Sequence, residues 1–123
     1  MEIRNLGRSG LRVSVVGLGC NNFGWRIELE PARKVVHRAL DLGITLFDTA
    51  DMYGDGQSEE MLGETLGPRR KDIVLATKVF MRIEPGTNKS GLSRRHILES
   101  CDASLRRLGT DYIDLYSHTA TIR

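Results

Sequence analysis

The sequence predicts an α/β fold in which four parallel strands alternate with three helices. Three observations carry that prediction. Short β-rich runs at residues 13–16, 44–48, 72–78 and 112–116 alternate with stretches of helical periodicity. The second and third runs are continuously apolar rather than alternating, as in parallel strands buried on both faces. Glycine marks the helix ends, at Gly43, Gly67-Pro68 and Gly109. Right-handed βαβ units repeated in this way build a doubly wound sheet or part of a barrel, and the spacing does not choose between them.

Each element has a local reason. Residues 2–6 and the turn Gly7-Arg8-Ser9-Gly10 suggest a short hairpin or arm. Residues 13–16 read as the core of the first strand, with Gly17 and Gly19 just after it. A loop over residues 19–30 holds Asn21, Asn22, Gly24 and Trp25. Pro31 suits the first turn of a helix, where its missing N–H is no loss. Ala32, Val35, Val36, Ala39 and Leu40 then recur at helical spacing, and residues 44–48 form the second strand. The second helix spans residues 58–66, with Ser58 as its cap and Glu59 and Glu60 favoured by the helix dipole. Residues 72–78 give the third strand, and a long loop over 79–91 contains Pro85-Gly86 and Asn88. Ser93 caps a third helix whose predicted buried stripe is Ile97, Leu98, Cys101, Leu105 and Leu108. Its other face carries Arg94, Arg95, Glu99, Asp102, Arg106 and Arg107, and residues 112–116 form the fourth strand.

Composition bounds the function. A chain of 123 residues is one domain at most. It is 40% hydrophobic and 28% charged, which suits a soluble globular protein, and its cysteine usage suits a reducing cytoplasm. The net charge of +2 comes from arginine pairs interleaved with acids, a pattern of solvated helix faces rather than a nucleic-acid stripe. No apolar run is long enough to span a bilayer, and the first ten residues lack the apolar core of a secretion signal. Cys20 and Cys101 form no CxxC and read as reduced thiols; the dispersed His37, His96 and His118 suggest no metal site. The segment Gly17-Leu18-Gly19-Cys20-Asn21-Asn22 fails as a dinucleotide fingerprint, because Asn22 stands where a third glycine belongs. Asp51 and Asp55 fail as a calcium loop, because Leu62 stands where the bidentate glutamate belongs.

The chemistry-bearing residues are Asp48, Tyr53 and Lys78. Asp48 and Lys78 each end an apolar run, and Tyr53 lies in the glycine-rich loop after Asp48. The carboxyl ends of parallel strands are where α/β folds place reactive groups. A phenol has a reference pKa of about 10, high for a proton donor at neutral pH, and a neighbouring ammonium lowers such a value. A carboxylate beside the ammonium keeps it charged and oriented. Such a triad suits protonation of an oxygen that is gaining negative charge, as when a carbonyl receives a hydride.

These residues sit in segments that resemble the aldo-keto reductases. The resemblance runs through LGRSGLRVSVVGLGCNNFG at 6–24, GITLFDTADMYGDGQSEEMLGETL at 43–66, IVLATK at 73–78 and LSRRHILESCDASLRRLGTDYIDLY at 92–116. The form YGDGQSEEMLG is similar to the bacterial-type subgroup, whose pattern is like that of the channel-associated β-subunits of the same family. The resemblance implies the N-terminal half of a (β/α)₈ TIM barrel, with parallel strands one to four and helices one to three. It also implies NADPH as cofactor and a small aldehyde or ketone as substrate. Tyr53 would be the general acid, Lys78 its activator and Asp48 the partner of Lys78. Cys20, Asn21, Arg26 and Asp48 would lie near the nicotinamide and its ribose, with Trp25 and the loop from Val79 at the substrate mouth.

Two departures shape the expectation. The family's active-site histidine lies three residues after the tyrosine of DLY, whereas His118 lies only two after Tyr116, a shift that flips a strand side chain to the other face. Residues 117–123 are atypical of the family, and barrels of this kind need about 250 residues. The expectation is therefore a partial barrel over residues 1–123, with weak or no activity by itself. Self-association through exposed barrel edges would follow from that shape. The alternative is a non-catalytic truncated member or a partner-binding module. A flavodoxin-like domain is disfavoured, since CNNFGWR replaces the Ser/Thr-rich phosphate loop.

Overall fold

The computed structural model describes residues 1–119. Most of the atypical 117–123 segment, residues 120–123, therefore lies outside the described residues. Two strands, β1 (Ile3–Asn5) and β2 (Arg12–Ser14), form an antiparallel hairpin, as the turn residues suggested. The main sheet comprises β3 (Gly17–Gly19), β4 (Leu46–Asp48), β5 (Val74–Val79) and β6 (Leu115–His118), all parallel and in that spatial order. Helices α1 (Leu29–Asp41), α2 (Gln57–Leu66) and α3 (Arg94–Leu108) connect them along one face. Sequence neighbours are spatial neighbours throughout, as in a closing barrel wall rather than a doubly wound sheet.

Residues 13–16 are not the first strand of the main sheet. Their first half belongs to β2 of the hairpin, and Val15 and Val16 are exposed. The chain then bends, and β3 pairs with β4 through Gly17–Leu46, Leu18–Phe47 and Gly19–Asp48. The hairpin is fastened to the main sheet by a reciprocal pair: Ser14 N–H donates to Thr45 Oγ1 and Thr45 N–H donates to Ser14 Oγ, both at 2.9 Å. The fourth strand is also displaced, to Leu115–His118 rather than 112–116. Asp114 is held just before it, where its carboxylate accepts the Leu75 N–H at 2.9 Å and pairs with Arg70 at 2.9 Å.

The core lies between sheet and helices. Phe47 and Leu75 project from the sheet onto Val36 and Leu62, and all four are fully buried. Full burial of one such side chain stabilises the fold by about 1.5–3 kcal/mol. Helix α1 begins at Leu29, with Pro31 in its first turn, and buries Ala32, Val36, Ala39 and Leu40 while Val35 stays exposed.

Helices α2 and α3 depart from the predicted pattern. Ser58 is not the cap of α2; it is inside the helix and fully buried, and Gly56 holds the cap position. Helix α3 is capped as expected, with Ser93 Oγ accepting the His96 N–H at 3.1 Å. Its most buried face, however, is His96, Ser100, Ser104 and Leu108, while Leu98 is exposed and Ile97, Cys101 and Leu105 are half-buried. Small residues face α2 because the helices approach closely. A Cβ placed on Gly63 would lie 2.3 Å from the Leu108 carbonyl oxygen, so only glycine fits that crossing.

Candidate active site

The site forms at the carboxyl end of β4 and β5. The register pairs Asp48 with Ala76, so Lys78 extends one pleat beyond Asp48 on the same face. Its ammonium lies 2.7 Å from Asp48 Oδ2, donates to the Thr49 carbonyl at 2.8 Å, and stands 3.4 Å from Tyr53 Oη. Three partners use all three donors of the ammonium. The same nitrogen lies 5.0 Å from the centre of the Tyr53 ring. Lys78 is mostly buried, whereas the Asp48 side chain remains 43% exposed.

Tyr53 starts a 3-10 turn, Tyr53–Gly56, in which Gly54 and Asp55 take left-handed backbone angles. The segment leading into this turn is tied to β5, where Asp51 N–H donates to Lys78 O at 3.3 Å, and Tyr53 N–H donates back to Ala50 O at 3.3 Å. Behind it, Ser58 Oγ donates to the Cys20 carbonyl at 2.8 Å and meets Thr49 Oγ1 at 2.8 Å. That chain of hydroxyls joins α2, β4 and the loop after β3, and explains why Ser58 is buried rather than at the helix end.

A cleft of about 370 Å³ opens beside the phenol, lined by Asn21, Trp25, Met52, Tyr53, Gly54 and Asp55. Trp25 is fixed as its wall, because its indole N–H donates to the Asn21 carbonyl at 2.6 Å. The Arg26 guanidinium stacks on the Trp25 ring at 4.1 Å. Asp48, Tyr53 and Lys78 are thus brought together and Asn21 lines the opening beside them, whereas Arg26 does not line it and is exposed against the Trp25 ring. Cys20 is not brought to it. Its side chain is fully buried, and burial, reinforced by the Asp48 charge, pushes the thiol up to about 12.

Several charged groups beneath the site were missed from the sequence. Glu59 is fully buried and accepts from Thr77 Oγ1 at 2.6 Å, Ser104 Oγ at 2.8 Å and Arg107 Nε at 2.7 Å. Arg107 is therefore not part of a solvated face. Asp51 is 1% exposed, and its Oδ1 has no hydrogen-bond partner. Burial, with the Glu59 charge adding to it, raises its carboxyl to about 6. The phenol of Tyr116 is also unpartnered, and burial is the main cause of its upward shift. The spacing of Asp51 and Glu59 carries no periodic signal, and Arg107 is 48 residues from its partner.

His118 lies elsewhere. It pairs in register with Val79, and Ser117 with Lys78, so His118 shares the face of Val79. Among the described residues no helix is long and apolar enough to cross a membrane.

Comparison with known proteins accounts for this arrangement. The model of the Aldo/keto reductase family matches residues 15–120. A protein of Arabidopsis thaliana named a probable voltage-gated potassium channel subunit beta is 44% identical over 96% of this chain and 37% of its own length. The uncharacterized oxidoreductase YqkF of Bacillus subtilis is 44% identical over 99% of this chain and 40% of its own length. The structure of the aldo-keto reductase AKR11C1 from Bacillus halodurans, in its holo form, superposes with a TM-score of 0.88 at 45% identity, covering 98% of this chain and 41% of that one. The chain thus spans about two-fifths of the length of these relatives, and its four strands and three helices match the N-terminal part of a (β/α)₈ barrel. By its family match and its fold, the chain belongs to the aldo/keto reductase family.

Proposed function

We propose that this chain carries the acid centre of an NADPH-dependent carbonyl oxidoreductase acting on small aldehydes or ketones. The observation that carries the reading is the Lys78 ammonium, bound to Asp48 Oδ2 at 2.7 Å while standing 3.4 Å from the Tyr53 hydroxyl. Tyr53 donates its Oη proton to the carbonyl oxygen. Lys78 stabilises the phenolate left behind, and Asp48 and the Thr49 carbonyl hold the ammonium in place. Trp25 and Met52 narrow the cleft around the reacting group.

The residues present fit a nicotinamide cofactor in part. Asp48 is 43% exposed and ties only Oδ2 to Lys78, so it retains acceptor capacity for a ribose hydroxyl. Asn21 lines the cleft, and the Arg26 cation stacks on Trp25, one of its walls. NADPH, when bound, would supply the hydride. Cys20 contributes at most through the Ser58 tie that fixes its loop. A cytoplasmic location fits the reduced Cys20 and Cys101 thiols.

The test is carbonyl-dependent NADPH oxidation by a protein containing this segment, compared with its Tyr53→Phe variant. Loss of the general acid should cost about 10²–10⁴-fold. An unchanged rate in the variant would exclude Tyr53 as the proton donor. A second reading, a non-catalytic partner-binding member, is favoured by the likeness to the Arabidopsis protein named a probable channel subunit. A defined, saturable complex formed without any carbonyl reduction would select it.

A further inference from the structure

We propose that the buried Arg107–Glu59 pair is a positioning device that holds Tyr53 and Lys78 at their working separation. The inference rests on the reading of Asp48, Tyr53 and Lys78 as the acid centre. Glu59 sits in the first turn of α2, fully buried, where the helix dipole favours its charge. One of its oxygens, Oε1, accepts from Thr77, the residue immediately before Lys78, at 2.6 Å. The other, Oε2, accepts from Arg107 Nε at 2.7 Å. The arginine arm in turn lies directly under the turn that carries Tyr53. A Cβ placed on Gly56 would stand 2.9 Å from Arg107 Cδ and 3.2 Å from its Nε. Asp51, at the start of the same segment, feels the Arg107 charge. One ion pair therefore props both arms of the centre: the Lys78 strand through Thr77, and the Tyr53 turn through Gly56.

A buried ion pair is a poor device for stability alone, since apolar replacements of similar volume are often neutral or stabilising. Glu59 and Arg107 do not touch the cleft. Besides Ser104 of α3, they contact the Thr77 hydroxyl next to Lys78 and Gly56 at the end of the Tyr53 turn, and the separation of Tyr53 and Lys78 decides how well the ammonium stabilises a phenolate.

The experiment measures nuclear Overhauser effects between the Lys78 Hε protons and the Tyr53 ring in labelled protein, without cofactor or substrate. Two variants are compared with the parent. E59Q/R107M removes both charges and keeps both stems; Thr77→Val removes only the hydroxyl tie and leaves the ion pair. Cooperative thermal unfolding establishes that each is folded. The expected result is a loss of at least about twofold in these signals in both variants, while those between Phe47 and Leu62 in the core stay unchanged. Full-strength Lys78–Tyr53 signals in either folded variant would overturn the inference and leave the acid centre standing. Their absence from the parent would instead overturn the acid centre itself.

Discussion

His118 pairs in register with Val79, one step beyond the pairing of Lys78 with Ser117. Adjacent residues of a strand point to opposite faces, so the histidine is directed away from the face that carries the ammonium. Its neighbours in the local groove are Val79, Leu92 and Ile97, on the helix side of the sheet. His118→Ala should therefore change the unfolding free energy by less than about 0.5 kcal/mol, as at ordinary surface positions. Urea denaturation measures this. Any carbonyl reduction should fall far less than the about 10²–10⁴-fold expected on loss of a general acid.

Asp51 makes stability pH-dependent. Burial raises its carboxyl from 3.8 to about 6, so between those values the folded protein holds a proton that the unfolded chain has released. Stability contributed by that proton is complete below about pH 4 and is lost as pH rises through 6. Asp51→Asn should be more stable than the parent at pH 7.5, by about 1–3 kcal/mol, with the difference vanishing near pH 4. Thermal unfolding of both proteins across that range checks the sign as well as the size.

Gly63→Ala should be strongly destabilising. Its new Cβ would stand 2.3 Å from the Leu108 carbonyl oxygen and 2.9 Å from Leu108 Cα, and a backbone neighbour cannot swing aside. Forcing α2 from α3 should cost about 3 kcal/mol, the upper end of the usual overpacking range. Guanidinium denaturation measures it. An unchanged midpoint would mean that the helices cross less closely.

The two thiols should differ in reactivity. Cys20 is fully buried and its thiol is pushed up to about 12, so little thiolate forms and reagent cannot reach it. Cys101 is half-buried, and burial raises its value too. A thiol-specific reagent should modify Cys101 slowly in the native protein and Cys20 only after denaturant is added. Peptide mapping after timed exposure distinguishes them.

The meeting of Asp48 and Lys78 was legible because both sit at strand ends, and that of Tyr53 because it lies in the loop that follows Asp48. Apolar runs at residues 44–47 and 73–77 announce adjacent buried strands, and a charged residue after each implies one shared edge. The first strand was misplaced because the β-rich run at residues 13–16 straddles a bend, and Gly17–Gly19 has too little side chain to advertise a strand. The buried face of α3 was misplaced for a different reason. Glu59 needs a hydroxyl partner and Gly63 admits close approach, so Ser104 faces inward while Leu98 is left outside. Charge alone gave no warning of the Glu59–Arg107 pair, since a buried glutamate and a solvated one look alike until the partner's position is known.

The Ser14–Thr45 clasp lies at the opening end of β4, and Asp48 at its far end. Fastening and reactivity are thus separated along the length of a single short strand. Under the proposed function, changes in the loops around Asn21 and Tyr53 would retune which molecule is accepted without loosening the hairpin. Damage to the hairpin would loosen that end of the sheet and leave the Asp48–Lys78 pair in place. Sequence change at one end of this strand can therefore proceed while the anchoring at the other is kept.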